Sequence, residues 1–332
     1  MTDAETLYAD LARLGLIRPG ERPPAAPLTG GVSSDIWKVD FPSGPICVKR
    51  ALAKLKVAQD WRAPVDRSRY EIRWFRTVAR FLPKAVPSIV AADEEAGVFA
   101  MTYLDPEDHP LWKRQLLDGQ VVVATAEEVG ARLVRIHAET ARDGSIPAQF
   151  PTDAIFHDIR LSPYLEAAAV RHPDRAEALR RIVATTATTR RALVHGDVSP
   201  KNILVGPKGP IFLDAECAWF GDPAFDLGFC LNHLLLKCLV RPDAQAALLA
   251  SYEAMSRHYL GGVDWEPAAD VEARVATLLP GLLLARVDGK SPVEYLTKDE
   301  DKERVRRTSR HLLDRPVARL ALVAERWKQE LA

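Results

Sequence analysis

Residues 193–205 of the chain read LVHGDVSPKNILV, and residues 211–216 read IFLDAE. An aspartate, Asp197, stands five residues before Asn202, and two further acids, Asp214 and Glu216, follow a short glycine-containing turn. The apolar runs on either side of that turn predict a β-hairpin, which brings Asn202 and Asp214 to adjacent strand ends. The whole order, H-G-D-x-x-x-x-N followed by D-x-E, is much more specific than H-G-D alone.

These side chains are of the types that phosphoryl transfer needs. A carboxylate has to accept the proton of the attacking hydroxyl, and Asp197 is the predicted catalytic base and a predicted substrate contact. Asn202, Asp214 and Glu216 offer the hard oxygen ligands that hold Mg²⁺ against nucleotide phosphates. The sequence therefore predicts ATP and Mg²⁺ as cofactors, with Glu216 open between metal binding, substrate binding or both. His195 is predicted to be a packed loop residue and not the base.

Nucleotide-binding elements are expected upstream, in the order that kinases use. Lys49 ends the predicted strand of residues 46–49, where a kinase places its phosphate-pairing lysine. Glu71, on the next predicted helix, is the candidate ion-pair partner of that lysine, with Asp66 as the alternative. A glycine-rich segment before a predicted strand is expected to cover the phosphates, although it lacks G-x-G-x-x-G; its residues are Gly30, Gly31, Val32, Ser33 and Ser34.

The predicted elements divide the chain into two lobes. Short alternating segments and one helix occupy residues 1–103, which we expect to form a β-rich N-terminal lobe that binds the nucleotide. Residues 104–332 are mostly helical in pattern and are expected to form a larger catalytic and substrate-binding lobe. The predicted fold class is therefore α+β with two lobes.

This series of residues resembles the aminoglycoside phosphotransferase and choline kinase superfamily, whose members have a protein-kinase-like fold. The resemblance runs from about residue 28 to about residue 240. It implies a nucleotide bound between the lobes, with the adenine at a hinge near Met101 and Tyr103. It also implies that Asp226, in the string DPAFDLG of residues 222–228, braces the catalytic loop, a role compatible with a helix N-cap.

A narrower resemblance concerns four stretches, residues 48–52, 61–67, 111–119 and 214–228, which are similar to 5-methylthioribose kinase. An arginine pair near the C-terminus of that family contacts the sugar. The matching stretch here, residues 284–289, keeps only Arg286. The resemblance therefore implies Arg286 as a substrate contact and a sugar or polyol, such as methylthioribose, as the acceptor.

Composition excludes several other classes. Hydrophobic residues make up 47% of the 332 residues, which is typical of a globular protein and not of a disordered one. The 45 basic and 45 acidic residues give a formal net charge of zero, so no general attraction to nucleic acid or membrane is expected. The longest apolar run, residues 224–240, contains Asp226 and Lys237 and is predicted to be a buried helix.

The N-terminus and the cysteines bear on the location of the protein. No signal peptide is visible in the first residues, and the four cysteines form no C-x-x-C pair. Both observations favour a cytoplasmic protein with free thiols. A homodimer is possible, since the first helix is free to pack on its own lobe or on a second subunit.

Several alternative functions stay open. An aminoglycoside is a polycation that needs a strongly acidic site, which the small acidic excess of residues 104–332 does not indicate. Choline or another amino alcohol needs an aromatic cage, for which Trp219, Phe220 and Tyr295 are candidates, although Trp219 is slightly favoured as a core residue. A catalytically silent nucleotide-binding regulator is disfavoured because Lys49 and Asp197 are present. A protein kinase is disfavoured by the lack of H-R-D, D-F-G and A-P-E.

Overall fold

A computed structural model describes residues 3–28, 34–52 and 66–332. Its N-terminal part is an antiparallel sheet of five strands in the order β1-β2-β3-β5-β4. The strands are β1 (Ala25–Pro27), β2 (Ser34–Phe41), β3 (Gly44–Ala51), β4 (Ile89–Asp93) and β5 (Val98–Thr102). In the predicted hairpin of β2 and β3, Ile36 lies opposite Lys49, which fixes Lys49 in the middle of the sheet.

Two helices pack on this sheet. Helix α1 (Asp3–Arg13) buries Leu7 and Leu11 in one cluster with Val39 and Val48 of the sheet. The first helix therefore packs on its own lobe. Helix α2 (Arg67–Ala79) presents nine buried residues to the core. Its first residues lie beside the end of β3, which is the position that brings Glu71 to Lys49.

The remainder of the chain is mostly helical. Its helices are α3 (Trp112–Leu117), α4 (Val123–Ala141), α5 (Ile146–Gln149), α6 (Asp153–Phe156), a π-helix (His157–Glu166), α7 (Ala167–Arg171), α8 (Ala176–Thr188), α9 (Ala224–Val240), α10 (Gln245–Gly261), α11 (Ala268–Asp288), α12 (Asp299–Asp314) and α13 (Leu320–Leu331). Three 3₁₀ turns cover Pro173–Arg175, Pro200–Asn202 and Pro242–Ala244. Helix α9 is the centre of this lobe, because all but one of its residues are buried. The prediction of a buried helix over residues 224–240 is confirmed.

Two small β-structures interrupt the helices and shape the catalytic loop. Strands β6 (Ala192–Val194) and β9 (Trp219–Gly221) pair antiparallel, as do β7 (Ile203–Gly206) and β8 (Gly209–Phe212). The predicted hairpin is confirmed, and Leu213 donates a backbone hydrogen bond of 2.9 Å to the carbonyl of Asn202. This bond holds the residue before Asp214 against Asn202. Within the described residues, no helix is both long and apolar enough to span a membrane.

Candidate active site

The catalytic loop, residues 195–202, carries Asp197, and a buried carboxylate holds its first residues in place. Asp226, in the first turn of α9, accepts hydrogen bonds from the backbone nitrogens of His195 (2.7 Å) and Gly196 (2.8 Å). His137 contacts the same carboxylate at 3.2 Å. The bracing role expected of Asp226 is confirmed. Asp226 is not the N-cap as well, because Asp222 accepts the hydrogen bond from the nitrogen of Ala224, the first residue of α9.

A glycine is required in that loop. Gly196 has φ of +80°, and a Cβ there would lie 2.5 Å from the carbonyl oxygen of Cys217. Only glycine combines this left-handed backbone with so close an approach. The loop therefore passes tightly over the segment that carries Glu216, and Asp197 emerges at a fixed position.

Asp197 has two unequal oxygens. Its Oδ2 lies 2.8 Å from Nη2 of Arg160 and 2.9 Å from Nζ of Lys201. Its Oδ1 is buried and has no hydrogen-bond partner among the described residues. Burial by itself raises the pKa of Asp197. The positive charges of Arg160 and then Lys201 lower that pKa by more, so the net shift is downward. An ionised carboxylate with one free oxygen is what a hydroxyl donor requires.

Arg160 is a site residue that the sequence did not single out. It lies in the π-helix, is buried, and also donates hydrogen bonds to the carbonyl oxygens of Ile159 and Gly196. π-Helical segments are rare and are frequently found at functional sites. A lone arginine 37 residues before Asp197 gives no local pattern, so no signal in the sequence connects the two.

Lys49 lies between two carboxylates. Its Nζ is 2.9 Å and 2.8 Å from the two oxygens of Glu71 and 2.5 Å from Oδ1 of Asp214. The predicted partner is therefore Glu71 and not Asp66. Burial lowers the pKa of Lys49, but Asp214 and Glu71 raise it more, and the lysine stays charged. Burial raises the pKa of Glu71 to about 7 despite Lys49.

Asp214 and Asn202 each have a side-chain oxygen that is available to a metal ion. Asp214 has φ of +66°, the one positive φ of a non-glycine residue in the described ranges, and such strain is concentrated at functional sites. Its Oδ1 contacts Lys49, which leaves Oδ2, and burial is outweighed by Lys49 so that its pKa lies well below the ordinary value. The amide nitrogen of Asn202 donates to the carbonyl of Asp197 at 3.1 Å, which leaves its oxygen as an acceptor.

The donor set fits Mg²⁺ better than a metal that needs an all-protein cage. Across residues 3–28, 34–52 and 66–332, no three or more His, Cys, Asp or Glu side chains converge as a metal site. Mg²⁺ characteristically takes one or two carboxylates and completes its shell with water and substrate phosphates. One carboxylate and one amide, from Asp214 and Asn202, satisfy that pattern.

Glu216 has a partner that the sequence did not reveal. Its Oε2 lies 2.9 Å from Nε of Arg67, the fully buried first residue of α2. Arg67 also donates to the carbonyl of Leu52 at 2.8 Å. Glu216 is close enough to Lys49 to raise its pKa. It thus lies at the site, and its assignment to metal or substrate stays a prediction.

Among the described residues, the others predicted to bind the nucleotide lie in or near the sheet, and their contacts do not indicate a role. Met101 is buried in β5 opposite Cys47, and Tyr103 follows that strand with Lys38 Nζ 5.2 Å from its ring centroid. Ser34 is buried at the start of β2. The other members of the glycine-rich segment, Gly30, Gly31, Val32 and Ser33, lie outside the described residues.

Two of the three residues considered for an aromatic cage, Trp219 and Tyr295, contact different parts of the protein. Trp219 is buried and stacks on Phe156 with ring centroids 4.2 Å apart, so its assignment to the core is confirmed. The hydroxyl of Tyr295 instead forms a hydrogen bond of 2.9 Å with Nδ1 of His233. The two rings have different neighbours, which removes the support they gave to a choline-type site.

Comparison with known proteins identifies relatives among kinases. Residues 24–271 match the phosphotransferase enzyme family. The methylthioribose kinase of Yersinia pseudotuberculosis serotype O:3 is 27% identical over 222 residues, which cover 58% of this chain and 53% of that protein. The methylthioribose kinase of Pectobacterium carotovorum is 27% identical over 273 residues, which cover 72% of this chain and 66% of that protein. The chain thus spans about half to two thirds of the length of these curated relatives.

Solved structures share the fold at low sequence identity. A choline/ethanolamine kinase family protein from Mesorhizobium loti has a TM-score of 0.53 and 16% identity, and the match covers 98% of each chain. Amicoumacin kinase, in complex with AMP-PNP, Ca²⁺ and Ami, has a TM-score of 0.56 and 12% identity over 96% of each chain. A spectinomycin phosphotransferase has a TM-score of 0.51 and 13% identity over 99% of each chain. The expected two-lobe, protein-kinase-like fold is confirmed.

Proposed function

Because this chain belongs to the phosphotransferase enzyme family, we propose that it is an ATP- and Mg²⁺-dependent kinase of a small molecule. It transfers the γ-phosphoryl group to a hydroxyl, and the proposed acceptor is a sugar or polyol such as methylthioribose or a related compound. The observation that carries the proposal is the buried, ionised Asp197, with Oδ2 held by Arg160 and Lys201 and Oδ1 unpaired within the described residues. The methylthioribose kinases among the relatives support the acceptor class.

In this proposal Asp197 is the general base. Its Oδ1 accepts the proton of the acceptor hydroxyl, while Arg160 and Lys201 prevent the carboxylate from rotating. The hydrogen bonds from His195 and Gly196 to Asp226 keep the loop backbone fixed during this step. Such positioning, more than any change in the chemistry of the carboxylate, accounts for the rate that phosphotransferases achieve.

The nucleotide side of the site uses the residues around Lys49. Lys49 binds nucleotide phosphates and Glu71 positions it, while Asn202 and Asp214 hold Mg²⁺, with Glu216 as the third predicted ligand. When bound, the metal neutralises phosphate charge and orients the transferred group. The nucleotide-binding lobe of residues 1–103 then faces the catalytic lobe of residues 104–332. Further proposed nucleotide contacts are Gly30, Gly31, Val32, Ser33, Ser34, Met101 and Tyr103, and Arg286 is a proposed substrate contact.

The function is tested by measuring ADP release from ATP and Mg²⁺ with a panel of acceptors. The panel contains methylthioribose, ribose, other pentoses, choline, ethanolamine and kanamycin, each with wild-type protein and with an Asp197→Asn variant. We expect one acceptor of the sugar class to give ADP release that depends on Asp197. A preference for kanamycin or choline would contradict the proposed sugar or polyol acceptor and indicate an aminoglycoside or an amino alcohol instead. ATP binding without turnover on any acceptor would support a catalytically silent regulator.

Replacing Arg160 should change the pH dependence of turnover. Asp197 works as a base only when ionised, and Arg160 is the side chain that lowers its pKa most. An Arg160→Met variant should therefore have a higher Asp197 pKa. The acidic limb of the profile of kcat/KM against pH should move to higher pH. Arg181→Met, at an exposed site paired with Glu177, is the matched control, and an unchanged acidic limb in Arg160→Met would contradict the assignment.

A further inference from the structure

Two buried cations in the catalytic lobe lack an anionic partner. Lys237, on α9, is fully buried, and its Nζ makes no hydrogen bond to any described residue. The ring of Tyr295, 4.6 Å from Nζ, is a neutral neighbour. Burial and then Lys113 lower the pKa of Lys237 to about 7, and Glu294, whose carboxylate is paired with Lys113, offsets them only in part. A bound anion would raise that pKa and keep the lysine charged, because a buried charge is unfavourable unless a partner compensates it.

Arg286 is the second such cation. It is 7% exposed, and its Nη1 donates to the hydroxyl of Tyr164 at 3.1 Å and to the carbonyl and hydroxyl of Ser291. These acceptors are neutral, and Nε of Arg286 is buried without a partner in the described chain. The sequence placed Arg286 at the substrate only through a resemblance. The structure adds that no carboxylate of the described residues forms an ion pair with it, although Glu294 is near enough for Arg286 to lower its pKa.

Unsatisfied neutral groups lie on the same stretch of α9. Both side-chain amide atoms of Asn232 and Nε2 of His233 are buried and have no partner among the described residues. Nδ1 of His233 is 2.9 Å from the hydroxyl of Tyr295, the residue that contacts Lys237. Buried polar groups are nearly always hydrogen-bonded, and His233 and Lys237 lie one turn apart on the same face of α9, so one ligand could satisfy both of their unpartnered nitrogens.

These groups are continuous with the catalytic base through two aromatic rings. The guanidinium groups of Arg286 and Arg160 lie 5.4 Å and 5.8 Å from the ring centroid of Tyr164. Arg160 is the partner of Asp197. Arg160 is also 5.8 Å from the ring of Phe229, which lies 5.8 Å from the ring of His233. The unsatisfied groups are therefore neighbours of the base and not a remote cluster.

The charge balance of this region is positive. Arg160, Lys201 and Arg286, together with Lys237 when it is protonated, are opposed by Asp197, while Lys113 and Glu294 neutralise each other. Asp214 and Glu216 are paired with Lys49 and Arg67 on the nucleotide side. These positive charges would repel a polycationic acceptor and attract an anionic one.

We propose that the acceptor of this enzyme carries an oxyanion, a carboxylate or a phosphate, that Lys237 and Arg286 bind while its hydroxyl contacts Asp197. This inference rests on the proposed function and refines its substrate class from sugars and polyols to their acids or phosphates. The hydroxyl oxygen forms a bond to the γ-phosphorus, the bond from that phosphorus to the bridging oxygen breaks, and the electron pair leaves with ADP. The hydroxyl proton passes to Oδ1 of Asp197, and the oxyanion itself is unchanged.

The first test compares acceptors that share a five-carbon skeleton and differ in charge: ribitol, ribonate, ribose 5-phosphate and 1-amino-1-deoxyribitol. ADP release should show kcat/KM at least 100-fold higher for one of the two anions than for ribitol. Ribonate and ribose 5-phosphate distinguish a carboxylate from a phosphate site. A Lys237→Met variant should lower that value at least 30-fold, mainly through KM, and should thereby remove most of the preference over ribitol. Equal or better use of ribitol or of the amine would overturn the proposal.

The second test is independent of turnover. Calorimetry with ribonate, ribose 5-phosphate and ribitol should show at least tenfold tighter binding of one anion by the wild type, and no preference in Lys237→Met. If no acceptor gives Asp197-dependent ADP release but this binding preference is found, the proposed function fails and the anion site stands. An absent preference, or one retained in Lys237→Met, overturns the site. Arg286→Met serves as the second variant should Lys237→Met fail to fold, and there the criterion is the loss of the anion's binding preference in calorimetry.

Discussion

An Asp197→Asn enzyme should lose about a thousandfold in kcat, within the range that removal of a general base produces. Asparagine keeps the size of the side chain and an acceptor oxygen, but it does not take a proton from a hydroxyl at neutral pH. The contacts of Lys49, Glu71 and Asp214 do not involve Asp197. We therefore expect the Kd for ATP to stay within about threefold of the wild-type value, so that the loss is confined to the chemical step.

The measurement is ADP release at saturating acceptor, with calorimetry for ATP binding. Asp243→Asn is the matched control, because Asp243 is an exposed acid of the same lobe that pairs with Arg241. That variant should keep wild-type turnover. Turnover by Asp197→Asn within tenfold of wild type would remove Asp197 as the base and with it the proposed mechanism.

The second large effect is expected from Asp226→Ala. Removing this carboxylate leaves the backbone nitrogens of His195 and Gly196 and the ring of His137 without their buried acceptor. A buried donor left unsatisfied costs about 1 to 3 kcal/mol, so the free energy of unfolding should fall by at least 3 kcal/mol. The catalytic loop would also lose its anchor, and kcat should fall at least 100-fold in the protein that remains folded.

Urea unfolding and ADP release, measured at a temperature where the variant is folded, separate these two losses. Asp264→Ala removes a half-exposed carboxylate that pairs with Arg142 and should change the free energy of unfolding by less than about 1 kcal/mol. If Asp226→Ala unfolds as the wild type does and retains its turnover, the carboxylate is not what positions the loop.

Sequence reasoning succeeded where the determining contacts are local. The hairpin between Asn202 and Asp214 follows from apolar runs and a glycine turn, and both ends of that turn lie within one short segment. The ion pair of Lys49 and Glu71 could be predicted for a related reason. A strand followed by a helix brings their residues together in the order that kinases use.

Contacts between distant segments could not be predicted. Arg160 is 37 residues from Asp197 and Arg67 is 149 residues from Glu216, so nothing in their spacing distinguishes either arginine from those on the surface. Lys237 did carry a signal, since a lysine within an apolar run is unusual. That lysine argues against a membrane span, but whether a buried lysine has a partner depends on tertiary packing.

Two of the ion pairs described above join the sheet-bearing part of the molecule to the helical part. Lys49 to Asp214 and Arg67 to Glu216 each cross the cleft between them. Separating such a pair leaves both charges without their partners, so separating both pairs at once is unfavourable. The two pairs therefore hold the two parts of the molecule together across the cleft. If Lys49 binds nucleotide phosphates as proposed, phosphate oxygens would take the place of the Asp214 carboxylate, so that nucleotide binding would be an exchange of anions at Lys49.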